Sequence, residues 1–162
     1  MNSEILDKIN SEVAAGRTQY WILLDPDDYT PAEAGKLCSD AEACGANAIL
    51  IGGSLMHTNH LDALVEQIKK DSSLPVILFP GDAAQITSHA DAILFMSLIS
   101  GRNPDFLIGQ QVKRAPLIKQ MDIEPIPMGY MLIESGAVTS VEFMSDTRPI
   151  PRDKAGIAAM HA

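Results

Sequence analysis

Asp25, Asp27 and Asp28 place three carboxylates within four residues, directly after the apolar run Trp21–Leu24. Hard oxygen donors at the mouth of a buried strand suit Mg²⁺ and, with it, a diphosphate; the same acids would also serve an exposed loop leading into a helix. Gly52-Gly53-Ser54 follows Ala48–Ile51 in the same manner. Two glycines let backbone approach a ligand closely, and a serine hydroxyl can reach a metal, although a Gly-Gly turn by itself favours a structural role. Pro80-Gly81 closes Val76–Phe79 as a tight turn, and Ser97 to Pro104 follows Ala92–Met96. That last stretch mixes hydroxyls, Arg102 and Asn103 with apolar residues, which suits a site handling charge and hydrocarbon together. His57 and His60 stand three apart without further ligands, so solvated helix residues are the better reading, and His89 and His161 have no evident partners. No Ser-His-Asp, Cys-His, phosphate-loop or dinucleotide-binding glycine pattern occurs.

Each motif sits between a strand-like run and a helical pattern. A strand, polar turn, helix rhythm is how a parallel α/β protein builds its active-site rim, because all the βα loops emerge at one end of the sheet. Ile5, Leu6, Ile9 and Val13 predict a helix over Ser3 to Ala15, ending at Gly16. Strands are expected at Tyr20–Leu24, Asn47–Ile51, Pro75–Phe79 and Asp91–Met96. Thr30-Pro31-Ala32-Glu33 is a capping-box pattern with proline in the first turn, opening a helix that runs to Cys44 and stops at Gly45. Further helices are expected over Leu61 to Lys70, briefly over Ala83–Ser88, and from Asp105 to Met121. Glu124–Glu134 and Val138–Phe143, flanking Ser135-Gly136-Ala137, read as a strand continuing into a hairpin. Asp153 is placed to cap a helix from Lys154, still in progress at Ala162. Five strands in a βα series fit either an open doubly wound sheet or the first five strands of an eight-stranded barrel, and periodicity does not choose.

At 162 residues and 46% hydrophobic content the chain can bury one real core. No apolar run approaches the ~18 residues needed to span a bilayer, and the first residues carry no secretory signature. Cys38 and Cys44 lie on largely different faces of one helix, which predicts buried free thiols of a cytoplasmic protein rather than a disulfide. Twelve basic against twenty-one acidic residues, net −9, with no basic stripe, exclude nucleic acid as the main partner. They do not exclude a phosphorylated substrate. Distant charge is screened beyond about 8 Å, and a divalent metal with backbone N–H groups can hold a polyanion. The eight methionines include Met96, Met121, Met128 and Met131 on apolar segments, as core filler or as lining for a flexible hydrocarbon.

Taken in order, several stretches resemble the geranylgeranylglyceryl phosphate synthase family, TIM-barrel prenyltransferases of ether-lipid synthesis. They are Leu23-Leu24-Asp25-Pro26-Asp27, Ile51-Gly52-Gly53-Ser54-Leu55, Pro75 to Gly81, Ala90 to Leu98 with Arg102-Asn103-Pro104, Leu107-Ile108-Gly109, Glu124 to Tyr130, and Pro149-Ile150-Pro151-Arg152. Arg102-Asn103-Pro104 and Pro127-Met128-Gly129-Tyr130 look most like the branch called group II. The resemblance implies an α/β fold of TIM (β/α)8 type, incomplete at about strands one to five of eight, with an extra N-terminal helix. It implies a single such domain over residues 1–162.

The implied reaction joins the hydroxyl of sn-glycerol 1-phosphate to C1 of a long allylic diphosphate and releases pyrophosphate. By this resemblance Asp25 and Ser54 would ligate Mg²⁺, and Gly52, Gly53, Gly81 and Ser97 would line the diphosphate end. The resemblance further implies lipid biosynthesis in the cytoplasm, peripheral membrane contact, and a homo-oligomer at full length. Two departures stand out. Asp28 occupies a position where the family commonly carries lysine, and the family's catalytic Glu and glycerol-phosphate segments, on strands six to eight, have no counterpart in these residues. The chain alone is therefore expected to be inactive, and its open sheet to expose apolar interior and self-associate. An alternative is a non-catalytic homologue that binds Mg²⁺ and prenyl diphosphate or needs a complementing partner. A receiver-like signalling domain ranks lower, because it requires an aspartate where Phe79-Pro80-Gly81 closes strand three.

Overall fold

A computed structural model of the chain describes residues 3–57, 59–82 and 84–161. Helix α1 (Glu4–Ala14) precedes strand β1 (Trp21–Leu24), followed by α2 (Pro31–Ala43), β2 (Ala48–Ile51), α3 (Leu61–Asp71), β3 (Val76–Leu78) and β4 (Ala92–Leu98). Then come a π-helical turn at Asp105–Gly109, α4 (Gln110–Met121), β5 (Glu124–Tyr130), α5 (Ser140–Ser145) and α6 (Ala155–His161). The strands form one sheet in the order β1-β2-β3-β4-β5, with β1/β2, β2/β3 and β3/β4 parallel. A doubly wound sheet reverses its strand order at a switch point, whereas a (β/α)8 barrel adds each strand beside the last. The consecutive order decides between the two architectures left open by periodicity, in favour of the barrel.

Contacts divide the chain into two compact units, Met1–Leu94 with Ile118–Ile126, and Phe95–Leu117 with Pro127–Ala162. In the first unit the register sets Ile22, Leu24, Ile49, Ile51, Val76 and Leu78 on one sheet face. Leu61, Leu64, Val65 and Ile68 supply the buried stripe of α3, at the spacing a helix requires. Trp21, Leu23, Ala48, Leu50 and Ile77 fall on the opposite face, where Leu23 stays 54% exposed. Thr30 and Glu33 form the expected capping box, and Gly45 ends α2 at φ +91°, a backbone state that favours glycine.

Helix α1 is amphipathic yet buries no residue completely. With Trp21, Ala48 and Ile77 it lines a partly open pocket of about 130 Å³ at the start of the strands, opposite to the βα loops. Ser3 stands at its N-cap without a side-chain bond. The 8%-exposed Glu124 carboxylate does the capping instead, accepting from Ile5 N (2.9 Å) and Leu6 N (2.8 Å). Charge-assisted bonds of this kind are worth roughly 1.5–3 kcal/mol. Replacing Glu124 with alanine should destabilise the protein by about 2 kcal/mol, with hydrogen exchange accelerated first in residues 4–14. Unchanged protection there would contradict the capping role.

In the second unit, Ile150 N donates to Leu132 O (2.8 Å), Glu134 N donates to Ile150 O (2.9 Å), and Ile133 and Ile150 form a parallel bridge.

Five expectations need correction. The helix at Ala83–Ser88 is absent among the described residues, and Ala83 lies outside them. Asp82 Oδ1 accepts from Ala84 N and Thr87 Oγ1 from His89 N, local side-chain turns that offer the backbone an alternative to a helix. The hairpin after β5 does not form. Thr139 caps α5 by accepting from Glu142 N, in a Thr-x-x-Glu pattern overlooked because Val138 and Phe143 suggested a strand; both are 78% exposed. Asp153 is no cap either: it lies inside a 3₁₀ turn, Arg152–Lys154, that leads into α6. Ser97 belongs to β4, which runs on to Leu98. Cys44 is exposed at the end of α2, and only Cys38 is buried.

Burial pushes the Cys38 thiol up to about 11. A neutral-pH alkylating reagent should therefore label Cys44 and spare Cys38 in the native protein, as peptide mass analysis would reveal. Equal labelling would show that the α2 core opens readily. Among the described residues no helix is long and apolar enough to cross a membrane.

Candidate functional site

The turn after β1 sorts its three acids. Asp25 Oδ1 accepts from Asp27 N (3.1 Å), fixing the 3₁₀ turn at Pro26–Asp28. Its Oδ2 points at the turn after β2, so closely that a Cβ on Gly53 would stand 2.3 Å away. Asp27 Oδ2 accepts from His57 N (2.8 Å), and Asp28 is exposed. Asp25 therefore packs against Gly53, while Asp27 holds the later part of the same loop at His57. His60 is neither a solvated residue nor placed as a ligand: its Nε2 lies 3.0 Å from Pro26 O and 3.2 Å from Tyr29 O, bracing the same turn. His89, without an evident partner in sequence, pairs with Glu66 at 3.2 Å.

The three glycines crowd together where no side chain would fit. A Cβ on Gly52 would come 1.8 Å from Phe79 O, and one on Gly81 would come 2.2 Å from Gly53 O and 3.0 Å from Ser54 Cα. The turns after β2 and β3 thus touch backbone to backbone, with the Asp25 carboxylate against the first of them. Their amides are already engaged. Gly52 N donates to Leu24 O (3.0 Å), while Gly53 N (3.4 Å) and Gly81 N (3.0 Å) both donate to Gln85 Oε1. The Gln85 Nε2 returns a bond to Gly53 O (2.9 Å), and the residue is 2% exposed. What the glycines permit is close packing of the two turns and of the Asp25 carboxylate against them. Gln85 was missed because it lies in a stretch read as a short helix, where a lone glutamine carries no signal.

In the second unit, Ser97 Oγ donates to Leu107 O (3.1 Å), and Asn103 Nδ2 donates to Ser145 O (2.9 Å) while its Oδ1 accepts from Asp105 N (3.1 Å). Asn103 is thus a loop brace. Met96, Met121 and Met131 are half-buried and Met128 is exposed.

The donor set suits a hard divalent cation. Asp25 offers a carboxylate oxygen packed directly against Gly53, and Ser54 adds a neighbouring half-buried hydroxyl. Mg²⁺ characteristically takes one or two protein oxygens and completes its shell with water and phosphate. No cluster of three or more His, Cys, Asp or Glu side chains able to hold a metal occurs among the described residues, so a cage made wholly by the protein is not on offer.

Consecutive parallel strands, with an acid, a glycine-serine turn and a second glycine turn at their C-terminal ends, define a protein of the (β/α)8-barrel class, in which active sites lie on the loop face. Residues 13–162 match the model of the PcrB family, and the chain belongs to that family. It is 44% identical over 158 residues to a geranylgeranylglyceryl phosphate synthase of Chitinophaga pinensis, covering 98% of this chain and 63% of that protein. It is 45% identical over 155 residues to the Pyrococcus abyssi enzyme of the same name, covering 95% and 61%. A solved structure of (S)-3-O-geranylgeranylglyceryl phosphate synthase from Thermoplasma acidophilum, in complex with substrate sn-glycerol-1-phosphate, superposes with a TM-score of 0.84 at 32% identity. That match covers 94% of this chain and 62% of the other. The chain thus spans about three-fifths of the length of these relatives, and its sheet corresponds to the first five strands of the barrel.

Proposed function

We propose that this chain carries the Mg²⁺ and prenyl diphosphate half of a prenyltransferase that joins a geranylgeranyl-type diphosphate to sn-glycerol 1-phosphate in ether-lipid synthesis. The observation that carries this reading is the Asp25 carboxylate aimed at the Gly53-Ser54 turn, against glycines that leave no room for a side chain. Asp25 and Ser54 would hold the cation. When bound, it would supply Lewis-acid stabilisation of charge developing on the departing pyrophosphate, a contribution of several kcal/mol.

The chain's own residues bind and orient. Gly52, Gly53 and Gly81 would line the diphosphate end by letting the turns after β2 and β3 pack together beside Asp25. The incompletely buried methionines suit a long hydrocarbon, since their side chains adapt to irregular shapes. Ser97 Oγ, although it donates to Leu107 O, keeps acceptor capacity for a hydrated diphosphate. No residue among the 162 is assigned the role of general base. Exposed Phe143, Ile157 and Met160 are apolar groups that peripheral contact with a lipid surface would accommodate.

Calorimetry with a non-hydrolysable geranylgeranyl diphosphate, with and without Mg²⁺, tests the reading. Metal-dependent binding without prenyl transfer to glycerol 1-phosphate is expected of residues 1–162. Metal-independent binding, or none, would refute the assignment of the site; turnover by these residues alone would refute the expected inactivity.

A further inference from the structure

We propose that Gln85 is a positioning residue of the metal and diphosphate site, acting through the loop that presents Ser54. This rests on the reading of Asp25 and Ser54 as magnesium ligands. Gln85 comes from the segment after β3, yet its carboxamide spans two different βα turns. The oxygen accepts from Gly53 N and Gly81 N, and the nitrogen donates to Gly53 O. The bonding fixes the orientation of the amide group, because only its oxygen can accept from two N–H groups.

Gly53 sits between the residue that abuts Phe79 O and the residue that bears the hydroxyl. Holding both its N–H and its C=O removes most of the freedom of the peptide units on either side. Gly53 is also the residue against which Asp25 Oδ2 rests. Gln85 thus fixes the separation between the carboxylate and the hydroxyl without touching either. It lies 2% exposed, so bulk water does not replace its three bonds. Partners one shell behind a metal ligand typically alter metal affinity 10–100-fold.

The test is a double-mutant cycle on the full chain, reading magnesium-dependent affinity for inorganic pyrophosphate by calorimetry. Gln85→Met is expected to lower affinity about tenfold or more. In the Ser54→Ala background the same change should cost less than about twofold, because there is no longer a hydroxyl to place. A merely structural role would give equal losses in both backgrounds, and that result, or no loss from Gln85→Met, overturns the proposal. Asp25→Asn separates the two claims: if it leaves binding unchanged, the metal reading fails and takes this one with it. If Asp25→Asn weakens binding while Gln85→Met does not, only the role of Gln85 fails. A measurement on the unaltered protein guards against a variant that does not fold. Adding magnesium and pyrophosphate should shift the nuclear resonances of the Gln85 side-chain amide and of the Gly53 and Gly81 amides, and unmoved resonances overturn the proposal.

Discussion

Asp25→Asn is expected to weaken magnesium-dependent pyrophosphate binding about 100-fold, close to 2.7 kcal/mol, while leaving the fold intact. The substitution keeps an oxygen able to accept from Asp27 N, so the turn after β1 retains its brace. What it removes is the negative charge, and Mg²⁺ draws most of its protein affinity from charged oxygen ligands. Asp28→Asn provides the control. Its carboxylate is exposed and makes no fixed contact with the glycine turns, so screening limits the effect to less than about threefold. Titration calorimetry on both variants measures the difference. Equal losses would mean that the acids act as a diffuse field and not as one ligand with two bystanders.

Gly52→Ala carries the largest expected cost in stability. Its added Cβ would meet the carbonyl oxygen of Phe79 at 1.8 Å and the carbonyl carbon at 2.6 Å. Both atoms belong to the backbone at the end of β3, whose Phe79 N donates to Ile51 O (2.7 Å), so no flexible side chain can yield. Ordinary overpacking costs about 1–3 kcal/mol; a backbone collision that separates two paired strands should reach about 3 kcal/mol or more. Gly156→Ala, in α6 with nothing within 4 Å of its added Cβ, should instead stabilise by about 0.5–1 kcal/mol. Urea unfolding of the pair decides the matter. A Gly52→Ala protein as stable as the parent would show that the contact between the β2 and β3 turns is looser than the structure has it.

The strand and helix rhythm was legible because each element buries a single face. The α3 stripe of Leu61, Leu64, Val65 and Ile68 and the Thr30 capping box announce themselves in local spacing. Asp25, Gly53 and Ser54 were also legible as candidates. Their meeting was not: it depends on the β1/β2 register and on the missing side chain at Gly53, which only the folded backbone makes visible. Segments controlled by side chain to backbone bonds misled the reading. Asp82 and Thr87 dissolved an expected helix, and Thr139 built one where alternating apolar residues pointed to a strand. Gln85 was invisible for a related reason, since its bonds join its own turn at Gly81 to the turn at Gly53 and leave no periodic trace.

The bond from Glu124 to α1 has a consequence in time. Its carboxylate reaches amides 119 and 118 positions earlier in the chain. At roughly 5–20 residues per second of synthesis, the first helix leaves the ribosome on the order of 10 s before its partner exists. Over that interval an 11-residue segment, too short to hold its shape unaided in water, lacks the carboxylate that caps its first turn. The cap of the first helix is thus completed only after four further strands have been made.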